Sequence, residues 1–252
     1  MLEGLNKVDW QSVRHRKGHA RNIPKLLLDL LSNDNKTQSS AVLQLFDTIW
    51  YHGTVYEATV HTVPFLYEIL ENPECSEKFS LVWLLFLIAN GNSVYPDPLP
   101  EEKQKEAVWA NKAHDAVRQG VKTILGLLNE KDKGLRLPVV LLLASLPEEA
   151  EQIKPQLLSI LSTEENDEVR AGLGLALALL GDLYLDAFQY KKKKLPLVLL
   201  ENLAKAYLQD NQMRASVYQA IEHCFLSTME RKDKDWYFDE KIFLESIRPH
   251  PN

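Results

Sequence analysis

The chain has 252 residues, 45% hydrophobic and 25% charged, with a formal net charge of -6. It is too apolar for a disordered chain, and its longest apolar runs, Val82 to Ala89 and Gly172 to Gly181, fall far short of the roughly 20 residues that span a bilayer. The acidity argues against a dedicated nucleic-acid binder, which carries a basic face.

The opening MLEGLNKVDW lacks a basic region followed by an apolar run, so the expected location is cytoplasmic. From Lys7 to Lys25 the charge reverses: Lys7, Arg14, Arg16, Lys17, Arg21 and Lys25 stand against Asp9 alone. His15 and His19 lie four apart, a spacing that suits a metal on a helix. Gly18 sits between them and no third ligand is in view, so no metal is expected.

Helical periodicity then recurs to the end of the chain, and no stretch keeps strand-like alternation. Pro24 to Leu31 is a first helix and Thr37 to Trp50 a second, with Val42, Leu43, Leu45, Phe46, Ile49 and Trp50 on one side. Val63 to Leu70 and Ser76 to Ala89 form another pair, turning at Asn72-Pro73. Glu101 to Leu128 reads as one long helix followed by Leu135 to Leu146. Pro155, suited to a first helical turn, starts a helix answered by Val169 to Leu180, which opens after Asn166 and Asp167 and stops at Gly181. Lys194 to Leu208 and Met213 to Leu226 complete the series.

Five hairpins are therefore expected, spanning approximately 22–52, 54–90, 101–146, 148–181 and 194–227, with a C-terminal cap over 230–249. A hairpin with one apolar stripe per helix cannot bury itself alone and must stack on others like it. A single domain over 1–252 follows, since a stack of repeats has no upper size for its core. Cys75 and Cys224 are far apart, and Cys224 falls in a helical apolar pattern, so buried thiols are expected rather than a disulfide.

Three hairpins place an arginine just inside the second helix, at Arg136, Arg170 and Arg214, 34 and 44 residues apart. With Asp167, Val169 and Ala171 around Arg170, this resembles the HEAT-repeat family, and within it the bacterial HEAT-like units also found in phycobilin lyases. The resemblance implies an all-α fold, a right-handed α-α superhelix of about five HEAT-like hairpins, in which Asp167, Arg136, Arg170 and Arg214 bond between adjacent repeats. It is firm at Asp167 to Ala171, looser at Gln212 to Ala215, and the first two hairpins lack the arginine.

Repeat scaffolds act through surface, and candidate surfaces lie where the repeat fails. The junction Trp50 to His61 gathers Trp50, Tyr51, His52, Tyr56, Glu57 and His61, residue types that anchor partners, although Trp50 also ends a core stripe and Tyr56 can staple the next helix. The proline loop from Gly91 to Pro100 contributes Tyr95, and the insertion after Asp182 contributes Tyr184 and Tyr190 before the run Lys191 to Lys194. Insertions in repeat arrays often map to the binding face.

No glycine-rich phosphate loop, HExxH or GxSxG is present, and no catalytic residue or cofactor is expected. The expected role is a non-catalytic protein-binding scaffold or inhibitor, with another protein in its concave groove; an immunity-type protein fits the size and acidity. The rival is a nucleic-acid-binding or DNA-glycosylase-like HEAT protein. That reading uses the basic residues together with Trp109, His114 and Asp115, which resemble the Trp and Asp of base-excising HEAT-like enzymes but differ in spacing.

Overall fold

Two Asp side chains show how the chain begins its helices. Asp34 accepts from the backbone N–H of Lys36 and Thr37 and from the Thr37 hydroxyl, and Asp132 accepts from the N–H of Gly134. Each supplies the oxygen that the first helical turn lacks. The Thr37 hydroxyl bond, backed by the two amides, holds the Asp34 carboxyl below its ordinary value.

The computed structural model describes residues 1–51, 53–91, 101–130 and 132–182, together with Ala187 and Ala204. Within them are nine α-helices, α1 (Ile23–Asp29), α2 (Asn35–Ile49), α3 (Glu57–Leu70), α4 (Lys78–Ala89), α5 (Glu101–Gln119), α6 (Val121–Leu127), α7 (Lys133–Ala144), α8 (Ala150–Leu161) and α9 (Asp167–Leu179). Two antiparallel hairpins of very short strands join them: β1 (Arg14–His15) with β2 (Gly18–His19), and β3 (Trp50–Tyr51) with β4 (Thr54–Val55). The protein is mostly helical, as its periodicity predicts. No helix among the described residues is long and apolar enough to cross a membrane. The expected fifth hairpin, the C-terminal cap, Cys224 and the loop from 92 to 100 lie outside the described residues.

The chain divides into two compact units, Met1–Lys131 and Asp132–Asn252. The boundary falls inside the stretch read from sequence as the third hairpin. In the first unit α4 is apolar all round, and every residue from Leu81 to Ala89 is buried. Such a helix can only be a core element, and α2, α3 and α5 pack against it. Trp83 and Phe86 meet edge to face along it, with centroids 5.2 Å apart.

The long helix expected from Glu101 to Leu128 is two helices, broken at Gly120. Tyr67 of α3 fills the space a side chain would take there: a Cβ on Gly120 would lie 2.1 Å from the ring. The Tyr67 hydroxyl donates to the Val117 carbonyl at 2.6 Å, so the break is held by a buried bond. Burial also pushes the Tyr67 phenol far above its ordinary value.

In the second unit α7 and α9 pack face to face and α8 lies against α9. A Cβ on Gly172 would come within 2.3 Å of Leu137 Cδ1, so α9 approaches α7 closely at that point. Pro155 lies inside α8 rather than at its start, after a 3-10 turn at Pro147–Glu149. It is exposed, and Ile153, Leu157 and Leu161 form the buried side. The hydrogen bond it removes thus leaves the Glu151 carbonyl on the outer face, where water can serve it.

Candidate interaction surface

The segment after Trp10 folds back as a hairpin because Gly18 takes a φ of +123°, which a side chain would resist. In β1, Arg14 and His15 point to opposite faces, as alternate strand residues must. His15 is the inward one, 8% exposed. Its Nδ1 accepts from the Lys17 N–H at 3.0 Å, which leaves Nε2 as the donor to Asn22 Oδ1 at 2.8 Å. Asn22 stands at the start of α1, and its side chain serves His15 instead of capping that helix.

The hairpin then seats on the end of α2 and the Trp50 to His61 junction, 30 to 43 residues later in sequence. The Arg16 N–H donates to the Thr48 carbonyl at 3.2 Å, and the Arg14 N–H to Glu57 Oε2 at 3.1 Å. Arg16 and Lys17 both pair with Asp47 on α2. The Arg16 guanidinium lies 3.3 Å from the centroid of the Tyr51 ring, a cation–π contact at a ring that is 38% exposed. The Lys17 hydrogen bond, joined by the Lys17 and Arg16 charges, holds the Asp47 carboxyl low against the opposing effect of burial.

The aromatic junction and the basic N-terminal stretch are therefore one surface. Tyr51, Glu57 and His61 contribute to it: Tyr51 is exposed, Glu57 and His61 half-buried and one turn apart on α3. Tyr56 precedes α3, and its N–H donates to Thr59 Oγ1 at 2.9 Å, the reciprocal half of a capping box. Trp50 is a correction to the predicted binding set. It is 5% exposed, paired with Val55 across β3–β4, and belongs to the core. His52, Tyr95, Tyr184, Tyr190 and the Lys191 to Lys194 run lie outside the described residues.

Sequence reasoning noted the basic run and the aromatic junction but had no reason to join them. The four-residue spacing of His15 and His19 suits a helix, Gly18 between them speaks against one, and the hairpin turns His15 inward and His19 outward. Gly18 inside HRKGH was the available signal. No group of three or more His, Cys, Asp or Glu able to hold a metal occurs among the described residues.

The other candidates are engaged within their own units. Lys112 Nζ sits 4.6 Å from the Trp109 ring centroid, Asp115 pairs with Arg118 at 3.3 Å, and His114 Nδ1 donates to the Ala89 carbonyl at 2.8 Å. Cys75 is a buried free thiol whose ionisation burial pushes up. In the second unit Arg136 reaches from α7 to Glu164 in the α8–α9 turn at 2.8 Å, and Glu164 Oε1 accepts from the N–H of Glu165 and Asn166. Burial raises the Glu164 carboxyl, but the Asn166 amide, Arg136 and the Glu165 amide outweigh it and hold it low.

Arg170 donates to the Leu161 and Glu164 carbonyls of its own hairpin at 3.0 and 3.1 Å. Asp167 opens α9 without being the carboxylate that receives Arg136, and Arg214 lies outside the described residues. Comparison with known proteins brings no family, curated protein or solved structure that matches the chain.

Proposed function

We propose that this chain is a non-catalytic protein-binding scaffold or inhibitor, a HEAT-like right-handed superhelix of about five hairpins working in the cytoplasm, with an immunity-type role in the same cell as one form of it. The observation that carries the reading is the surface at β1–β4, where Arg16 stacks on an exposed Tyr51, Asp47 pairs with Arg16 and Lys17, and Glu57 accepts the Arg14 N–H. Tyrosine and arginine are the residue types that dominate protein–protein hot spots, and they bind best when pre-ordered. The repeat reading is supported by the helix pairs α1/α2, α3/α4 and α8/α9 and by the Asp167 to Ala171 pattern.

The groups that suggested base excision favour the non-catalytic reading, because Trp109, His114 and Asp115 each already serve a neighbour. The test is affinity capture from the native cell followed by reconstitution with the purified partner and calorimetry. A one-to-one protein complex with a Kd of roughly micromolar or tighter, weakened at least about tenfold by Tyr51→Ala, is expected. Recovery of nucleic acid alone, released by nuclease treatment, would overturn the reading in favour of its rival.

A further inference from the structure

The same surface names the chemistry of its occupant, an inference that rests on the protein-binding function just given. We propose that β1–β2 and the residues directly after it dock a carboxylate-rich segment of a partner protein. Arg16 and Lys17 share the Asp47 carboxylate, which fixes the hairpin and offsets one of their two charges. Arg14, His19 and Arg21 are different: all three are exposed, and none has an ion pair among the described residues.

Arg14 and His19 face each other across the ladder, which sets their side chains on one side of the hairpin about 5 Å apart. Arg21 follows two residues after His19. The paired Arg14 and His19, with the exposed Arg21 close behind in sequence, suit carboxylates, which an arginine can hold through two parallel N–H bonds.

Phosphate backbones fit this surface less well. Non-specific duplex binders make roughly 6–10 phosphate contacts, whereas two unpaired arginines correspond to a salt slope of only about -2. The Tyr51 ring, the platform on which a base would stack, is already covered by Arg16. Asp47 and Glu57 also stand among the cations, within the Debye length of about 8 Å over which they repel a continuous phosphate track. A short peptide can place its carboxylates on Arg14 and Arg21 and leave Asp47 and Glu57 uncovered.

The experiment uses the full chain and a fluorescein-labelled octa-glutamate peptide, with octa-glutamine and oligo-thymidylate as controls, followed by anisotropy and amide NMR at low and physiological salt. Saturable binding of octa-glutamate is expected, with shifts confined to the amides of 14–21 and 51–61. The double substitution Arg14→Ala, Arg21→Ala should weaken it at least about fivefold without lowering Tm, since both side chains are exposed and neither holds an ion pair among the described residues. The Arg14 tether to Glu57 runs through the backbone N–H and survives that substitution; Arg21→Glu is the second variant.

Undiminished binding by the double variant, no binding at low salt, or a tighter oligo-thymidylate complex with a slope steeper than about -2 would each overturn the proposal. A captured protein partner that ignores Arg14 and Arg21 would sink this inference and leave protein binding standing. Nucleic acid alone would sink both.

Discussion

Two kinds of construction meet in this molecule. The helical interiors, α3 to α5 in the first unit and α7 to α9 in the second, are held by apolar close packing. The surface at β1–β4 is held instead by a few polar tethers: His15 to Asn22, Arg14 to Glu57, Arg16 and Lys17 to Asp47. Removing one methylene's worth of room should disrupt the first kind. The second should tolerate single losses, because exposed ion pairs are each worth about 0–1 kcal/mol.

The sharpest way to break that comparison is at Gly120. Gly120→Ala drives a Cβ into the Tyr67 ring, which cannot move aside because its hydroxyl is bonded to Val117. A loss of about 3 kcal/mol is expected, at the upper end for overpacking, measured by urea unfolding. Gly172→Ala offers the calibration. There the obstacle is Leu137 Cδ1, the far end of a flexible side chain that can change rotamer, so about 1 kcal/mol is expected. Equal losses would mean that the Tyr67–Val117 bond does not pin the ring.

Arg136→Ala comes next and tests a polar tether inside a helical interior. Glu164 has a side chain only 5% exposed, so losing its guanidinium leaves a carboxylate with two backbone donors and no cation. Arg136 is 27% exposed, which screens the pair, and a loss of about 1–2 kcal/mol follows. The pH dependence has a definite sign. The folded carboxyl sits below its ordinary value, so its contribution is complete above the ordinary glutamate value of 4.5 and disappears as pH falls through the folded one. In Arg136→Ala the acid-side decline in Tm should be shallower than in the parent protein.

These cases also divide what sequence could and could not show. Helix α2 was legible because one-sided burial imposes a period up to Ile49, whereas α4 and α9 were legible as apolar runs, Leu81 to Ala89 and Ala171 to Leu180, that are buried throughout. The break at Gly120 was not legible. A lone glycine inside a helical pattern carries no mark of the tyrosine that fills its space from 53 residues away. Pro155 misled for the opposite reason, since proline is best tolerated in a first turn, yet it lies deeper in α8, on the exposed side.

At the candidate surface both halves were visible and their union was not. Strands of two residues have no period to read, and nothing in HRKGH points to Asp47 or Glu57, because ion pairs between distant segments leave no spacing rule behind.

Arg16→Ala carries the smallest expected change in stability and the clearest test of the contrast. It removes one of two cations on Asp47 and the guanidinium over Tyr51, and both contacts are substantially open to water. Lys17 still neutralises Asp47, and the Arg16 N–H still reaches the Thr48 carbonyl. Together these losses should come to under about 1 kcal/mol, a shift of a few degrees in Tm at most. The Tyr51 ring, however, loses the guanidinium that covers it. Amide and aromatic NMR should show increased mobility of Tyr51 while the α4 signals stay unchanged, and protein capture should weaken more than Tm does. If Tm falls as far as it does in Gly120→Ala, the β1–β4 surface is part of the packed interior and its tethers are not the separable device that the two kinds of construction imply.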